Sequence, residues 1–291
     1  MATVSEWIQG ARLRTLPAAV APVLAGTGAA AHAGALVGWK ALVALVVSLA
    51  LQLGVNYAND YSDGIRGTDD DRVGPLRLVG SGVASPAAVK WAALLCLAVG
   101  AVAGLVLAAT SGWELLAVGA LALLAAWFYT GGGSPYGYRG LGEVSVFVFF
   151  GLVAVMGTTY VQLGSITLAS GLAGIGVGAL ACAILVANNL RDIPTDEVAG
   201  KRTLAVVLGD ARSRTFFAAL VVVALGCLVA IAVLVEPWAV LGAAGLLIAG
   251  RAWWTVRAGA TGRELVAVLR NVGIGLLVYA AGLFAGLLIG T

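Results

Sequence analysis

Nine apolar runs of about twenty residues, with almost every charge pushed into the segments between them, constrain this chain more than any other feature of its sequence. Of its 291 residues, 61% are hydrophobic and 11% charged, whereas a soluble globular domain carries about 25% charged residues. Mean hydropathy is +1.01. These values exclude an ordinary soluble protein. They predict an all-α membrane protein, because hydrocarbon leaves backbone polar groups no partner except the segment's own. The runs place spans at 17–37, 41–58, 87–109, 113–131, 143–162, 167–189, 213–235, 237–256 and 269–289, in a single integral-membrane domain over 1–291. The 41 glycines fit close helix packing in lipid, where small residues let backbones approach. Cys96, Cys182 and Cys227 stand apart inside apolar runs and show neither metal nor disulfide spacing. The short segment before the first span has no small-residue cleavage site, so a removed signal peptide is not expected. Residues 1–16, with Trp7, Ile8, Leu13 and Leu16 among Arg12 and Arg14, read as an interfacial helix.

The distribution of basic residues sets the orientation. With a cytoplasmic N-terminus, Arg12, Arg14, Arg66, Arg72, Arg77, Lys90, Arg139, Arg191, Lys201, Arg202, Arg212, Arg214, Arg251, Arg257, Arg263 and Arg270 all fall inside. Of the 17 Lys and Arg residues, only Lys40 falls outside. An even number of spans would break this alternation, so the charges favour nine and put the C-terminus outside.

Carboxylates are scarce, and most of them sit in two clusters that both reach the cytoplasmic face. The first motif, 56–77, holds Asn56, Asn59, Asp60, Asp63, Asp69, Asp70 and Asp71. The second, 188–204, holds Asn188, Asn189, Asp192 and Asp196. They follow the second and sixth spans, which suggests a duplicated four-helix unit plus one helix. A unit with an even number of spans keeps both copies on one membrane face, where they can converge on one site.

Asn56 and Asp60 are spaced i, i+4 and share a helix face, and so do Asp192 and Asp196. Pro194 between the latter two suggests a bend or a new helix start. Hard oxygen donors of this kind suit Mg²⁺, which takes one or two carboxylates and completes its shell with water and substrate phosphate. The expected metal ligands are therefore Asn56, Asp60, Asp192 and Asp196. Arg66, Arg72, Arg77, Arg191, Lys201 and Arg202 are expected to hold the remaining diphosphate charge. Asp63 and Asp69 to Asp71 form a further acidic layer with a catalytic role in prospect. The plainer alternative, that cytoplasmic loops are charged because they are solvated, does not explain paired clusters at helix ends with amides on their membrane side.

The loop from Tyr129 to Glu143, rich in glycine and carrying Tyr138 and Arg139, offers further ligand contacts, or else is a tight turn with interfacial tyrosines. His32 is solitary. Trp7, Trp39, Trp113 and Trp238 read as belt anchors near span ends. Nothing points to a nucleic-acid partner.

Several stretches resemble the UbiA superfamily of intramembrane prenyltransferases: Ala11 to Pro17, Asn59 to Arg77, Tyr129 to Gly132, and Asn188 to Leu204. Asp60 with Asp69 to Arg72, and Asp192 with Asp196, look like its two aspartate-rich motifs, although Gly67 stands where the family pattern has aspartate. The resemblance covers nearly the whole chain. It implies a nine-helix fold, Mg²⁺, and transfer of a polyprenyl group from polyprenyl diphosphate to 1,4-dihydroxy-2-naphthoate with loss of carbon dioxide, in a bacterial cell membrane. A prenyltransferase for another aromatic acceptor, or a secondary transporter with intramembrane carboxylates, is the competing reading. The scarcity of Lys relative to Arg, with abundant Ala, Val and Gly, resembles a high-GC bacterium.

Overall fold

The computed structural model describes residues 2–67 and 76–291, and every regular element among them is helical. Among the described residues, seven helices are long and apolar enough to cross a bilayer. They are α3 (Gly38–Gly64), α4 (Pro86–Ser111), α6 (Gly142–Leu163), α7 (Leu168–Val198), α9 (Asp210–Leu234), α10 (Pro237–Arg257) and α11 (Gly262–Ile289). The other two expected spans form shorter helices, α2 (Pro17–His32) and α5 (Leu115–Phe128). Ahead of them lies α1 (Val4–Gly10), and α8 (Leu204–Leu208) follows the second motif.

Two of the expected spans end too early, both at the ends that carry the acidic motifs. The third helix continues past residue 58 to Gly64 and the seventh past 189 to Val198. Hydropathy stops counting where polar residues begin, yet those residues stay helical because they line an internal cavity instead of loop solvent. Pro194 neither starts nor ends a helix; α7 runs through it. A proline removes one backbone donor, and the flanking turns carry the helix across. Residues 1–16 divide into α1, closed by a Thr3–Glu6 capping box, and a single 3₁₀ turn at Leu13–Thr15. Trp7 packs edge-on against Tyr57, with centroids 5.7 Å apart, and its carbonyl accepts the Tyr57 hydroxyl. It pins α1 to α3, whereas Trp39, Trp113 and Trp238 are exposed at helix ends, as belt anchors are. Cys96, Cys182 and Cys227 are free thiols.

The largest core cluster centres on α7, with Leu180, Phe217, Leu276 and Tyr279 closed to solvent. Its helices approach through glycine. A Cβ on Gly245 would lie 2.3 Å from the Gly275 carbonyl oxygen and 2.3 Å from the Tyr279 nitrogen, both backbone atoms that cannot step aside. Gly245→Ala should therefore force α10 and α11 apart, at about 1–3 kcal/mol. We expect a lower melting temperature in detergent; an unchanged one would refute this seam.

Candidate active site

α3 presents a polar stripe, Gln52, Asn56, Asn59 and Asp63, spaced 4, 3 and 4 and so confined to one helix face. All four line a cavity of about 1480 Å³ that α7 flanks with Asn188, Asn189, Asp192 and Asp196. Away from the motifs the lining is largely apolar, with Val23, Leu107, Val118, Phe149, Phe150 and Val161, and Arg12, Arg14, Arg263 and Arg270 also border it. Phe149 and Phe150 belong to a π-helical stretch, Phe147–Val153, of the kind that often marks functional sites.

Asp63 joins the two motifs. One of its oxygens accepts from the Tyr138 hydroxyl and from Lys201 Nζ at 3.4 Å; the other faces an Arg77 guanidinium nitrogen at 3.5 Å. The ammonium of Lys201 also lies 4.7 Å from the Tyr138 ring centroid. On α7, Arg191 grips Asp192 through two nitrogens, at 2.7 and 2.8 Å, and donates to Asn188 Oδ1 at 3.0 Å. Asp196 accepts from the Thr203 hydroxyl at 3.5 Å. Two sets of carboxylates thus meet at one mouth, interleaved with Arg77, Arg191 and Lys201.

Several expected site residues lie elsewhere. Asp60 does not face the cavity. It is fully buried, and its two oxygens accept the backbone N–H groups of Leu78 at 2.8 Å and Val79 at 3.0 Å. It anchors the end of the first motif's loop. Asn56 lines the cavity but its amide is committed to the N-terminal segment. Nδ2 donates to the Ala11 carbonyl at 2.9 Å and the Thr15 hydroxyl at 3.0 Å, and Oδ1 accepts from Gln52 at 3.2 Å. The cavity-facing i, i+4 pair is Asn59 and Asp63, one helical step from the expected Asn56 and Asp60.

Arg66 does not line the cavity. Its guanidinium donates to the carbonyls of Thr130 and Gly132 and lies over Tyr138, clamping the glycine-rich loop to α3. The Thr130 hydroxyl completes the clamp on Asn59 Oδ1 at 2.7 Å. Arg139 and Arg202 are exposed and outside the cavity, with the Arg202 backbone N–H bonded to the Tyr138 carbonyl at 2.9 Å. Asp69, Asp70, Asp71 and Arg72 lie outside the described residues. Tyr129 and Tyr138 both line the cavity. Tyr136 donates to the Ala125 carbonyl at 2.7 Å, and burial pushes its hydroxyl up from the usual phenol range.

Glu143 stands out among residues that sequence reasoning left without a role. It is buried in the first turn of α6, and one oxygen accepts the Asn189 amide at 2.9 Å. The other has no hydrogen-bond partner among the described residues. A carboxylate at the head of an apolar run, where the helix N-terminus favours negative charge, is the signal that could have found it. It fixes which way Asn189 points.

The hard-oxygen lining suits a divalent cation. Among the described residues, however, no three acidic, His or Cys groups converge tightly enough to hold an ion unaided. That donor set matches a cation taking one or two carboxylates and sharing the oxygens of a bound phosphate.

Residues 19–272 match the UbiA prenyltransferase family. A Mycobacterium tuberculosis protein named 1,4-dihydroxy-2-naphthoate octaprenyltransferase is 56% identical, over 100% of this chain and 99% of its own. An Escherichia coli protein of the same name is 41% identical, over 76% of this chain and 74% of its own. A solved UbiA homolog from Archaeoglobus fulgidus, bound to GPP and Mg²⁺, shares the fold at a TM-score of 0.72 and 14% identity, over 98% of this chain and 99% of that one.

Proposed function

The chain belongs to the UbiA prenyltransferase family, and from that premise we propose that it transfers a polyprenyl group from polyprenyl diphosphate to 1,4-dihydroxy-2-naphthoate. The observation that carries this reading is the 3.4 Å contact between Asp63 and Lys201, which ties the two aspartate motifs together at the mouth of a deep apolar cavity. The relatives that carry this activity in their names span most of the chain. The cavity is amphipathic in the sense the substrates require, with charge at one end and an isoprenoid-compatible wall along the rest.

Mg²⁺ would be held by Asn59, Asp63, Asp192 and Asp196. When bound, it neutralises diphosphate charge and so favours departure of the leaving group. Arg77, Arg191 and Lys201 donate to the remaining diphosphate oxygens by charge-assisted hydrogen bonds. As the allylic C–O bond breaks, its electron pair leaves with the diphosphate. The apolar walls keep water from the electron-poor prenyl carbon, and the faces of Phe149 and Phe150 are available to it. The ring carbon bearing the acceptor's carboxylate supplies the electron pair of the new C–C bond. Its bond to the carboxylate then breaks, the pair returns to the ring, and carbon dioxide leaves.

The same reading places the protein in a bacterial cell membrane, with nine spans built from a duplicated four-helix unit plus one helix. The N-terminus and the site lie in the cytoplasm and the C-terminus outside. The charge distribution supports this topology.

Purified protein in detergent, given labelled polyprenyl diphosphate and the naphthoate, should form a prenylated, decarboxylated product. EDTA should abolish turnover and added Mg²⁺ restore it. Prenylation of only other aromatic acceptors would move the substrate assignment. Turnover that persists in EDTA would refute the metal.

A further inference from the structure

Glu143, buried in the first turn of α6, takes no part in the chemistry proposed above. Two groups of α7 hold it. Its backbone carbonyl accepts from the Cys182 thiol at 3.1 Å, and its side chain accepts from the Asn189 amide at 2.9 Å. Cys182 and Asn189 are seven residues apart, so one face of α7 supplies both. The same turn also seats against Tyr129: a Cβ on Gly142 would lie 2.9 Å from the Tyr129 hydroxyl oxygen. Glu143 is thus fixed in place, yet its second oxygen is buried with no hydrogen-bond partner among the described residues. A carboxylate buried in this way carries a desolvation cost that its contacts do not return, which points to a purpose other than stability.

That purpose is the orientation of Asn189. A carboxylate only accepts, so the Asn189 amide must turn its NH2 group to it. The carbonyl oxygen Oδ1 is then the polar end that Asn189 presents to the cavity it lines. Among the described residues nothing donates to this oxygen, and unlike the stranded oxygen of Glu143 it is open to the cavity. The neighbouring Asn188 is already committed: its Oδ1 accepts from Arg191 at 3.0 Å, and its amide faces Asp192 at 3.4 Å.

Of the groups the two substrates carry, one kind can use a lone acceptor. Diphosphate oxygens are acceptors themselves, and a polyprenyl tail has no donor; a phenolic hydroxyl does. We propose that Asn189 Oδ1 accepts the hydroxyl on carbon 1 of the naphthoate, beside the carbon that bears the carboxylate, and that Glu143 is the positioning residue that holds Asn189 in this orientation. This rests on the prenyl-transfer reading and assigns residues to its second substrate. Tyr129, which also lines the cavity, adds an aromatic wall near the same turn. As the prenyl carbon bonds to carbon 2, electron density is drawn from the adjacent hydroxyl oxygen and its O–H becomes more acidic. The hydrogen bond to Oδ1 is then stronger than in the bound ground state, so its effect falls on kcat. The proton stays on the hydroxyl oxygen, because loss of carbon dioxide returns an electron pair to the ring.

Glu143→Gln replaces a pure acceptor with an amide that can also donate, so either end of Asn189 can face the cavity. Asn189→Ala removes the oxygen itself. Each should lower kcat with the naphthoate about tenfold, with KM for polyprenyl diphosphate within about twofold. The sharper readout is an acceptor methylated at the hydroxyl on carbon 1, which keeps the ring electron-rich but cannot donate. The wild-type preference for the free hydroxyl over this methyl ether, as a ratio of kcat/KM, should fall about tenfold in both variants. The Mg²⁺ concentration for half-maximal activity should stay the same. A wild-type protein that never prenylates the naphthoate overturns the functional reading itself. Where the wild type does so, an unchanged ratio in Asn189→Ala, or a raised Mg²⁺ requirement in its place, overturns the hydrogen bond. A Glu143→Gln protein that keeps the full ratio, or that does not fold, overturns the positioning role.

Discussion

Asp63→Ala should lower kcat/KM for prenyl transfer by about 10³-fold or more while the protein remains folded, and Asp60→Ala should do the reverse. Asp63 is shared by Lys201, Arg77 and Tyr138 at the junction of the two motifs. Its removal deletes a proposed metal ligand and leaves two cations facing each other. Loss of one preorganised electrostatic group at a reacting centre typically costs about 10²–10³ in rate, and this residue serves two such purposes. Asp60 does different work. Its truncation strands the buried N–H groups of Leu78 and Val79, each at about 1–3 kcal/mol. Folded yield and melting temperature should drop, and the surviving folded fraction should retain turnover. Steady-state kinetics and thermal melts on both variants decide the matter. A folded but inactive Asp60→Ala beside a near-normal Asp63→Ala would return the metal to the Asn56–Asp60 face.

That pair also marks where the sequence stops being legible. Asn56 with Asp60 and Asn59 with Asp63 have the same i, i+4 spacing, so periodicity supports both. The choice is made by the backbone at Leu78 and Val79, which docks on Asp60 from eighteen and nineteen positions away, a long-range contact that spacing cannot register. The polar pattern along α3 does not choose either: Gln52 and Asn56 continue into Asn59 and Asp63 at a spacing of 4-3-4, and Ser48, Gln52, Asn56 and Asp60 run at 4-4-4. The basic residues were harder still. Arg66 and Lys201 both flank aspartates, yet one clamps loop carbonyls while the other reaches the cavity. Arginine and lysine have long flexible stems, and their targets are set by the tertiary fold.

Seven of the nine apolar runs, by contrast, coincide with helices long and apolar enough to span a bilayer, because hydrocarbon imposes one rule on all of them. The differences fall at the motif-bearing ends, where α3 and α7 extend beyond the hydrophobic stretch. There the polar residues stay helical because the helix itself delivers Asp63, Asp192 and Asp196 to a shared mouth. Glu143 escaped for the opposite reason. A single acid beside a glycine-rich loop looks solvated, and only the fold turns it inward onto Asn189. Arg12, at φ 52° and ψ 59°, is a third kind of case: no spacing rule foretells a left-handed arginine, since the turn is dictated by hydrogen bonds from Asn56 and Thr15.

Gly157→Phe should convert the protein from accepting long polyprenyl donors to accepting only short ones. Gly104, Gly119 and Gly157 all line the cavity, and a Cβ at any of them would meet nothing within 4 Å. These glycines are therefore not close-packing seams like Gly245; they hold space open. They also lie at corresponding depth. Gly104 is near the end of α4, Gly119 near the start of α5, and Gly157 in the last turns of α6, so all three stand toward the helix ends opposite the acidic motifs. A helix rises about 1.5 Å per residue, which puts Gly157 about 22 Å beyond Gly142 along α6. A phenyl group there intrudes into the channel after several isoprene units have fitted. It touches neither the charged mouth nor the helix contacts, so stability should hold. Steric exclusion in a shaped pocket discriminates by about 10- to 200-fold, and we expect a change of that order in the ratio of kcat/KM for a ten-carbon donor to that for a forty-carbon donor. Kinetics with a donor series of increasing length provide the measurement. If long donors are used as well as before, the tail runs out between the helices toward lipid instead of down past Gly157, and the three glycines open a space the substrate does not fill.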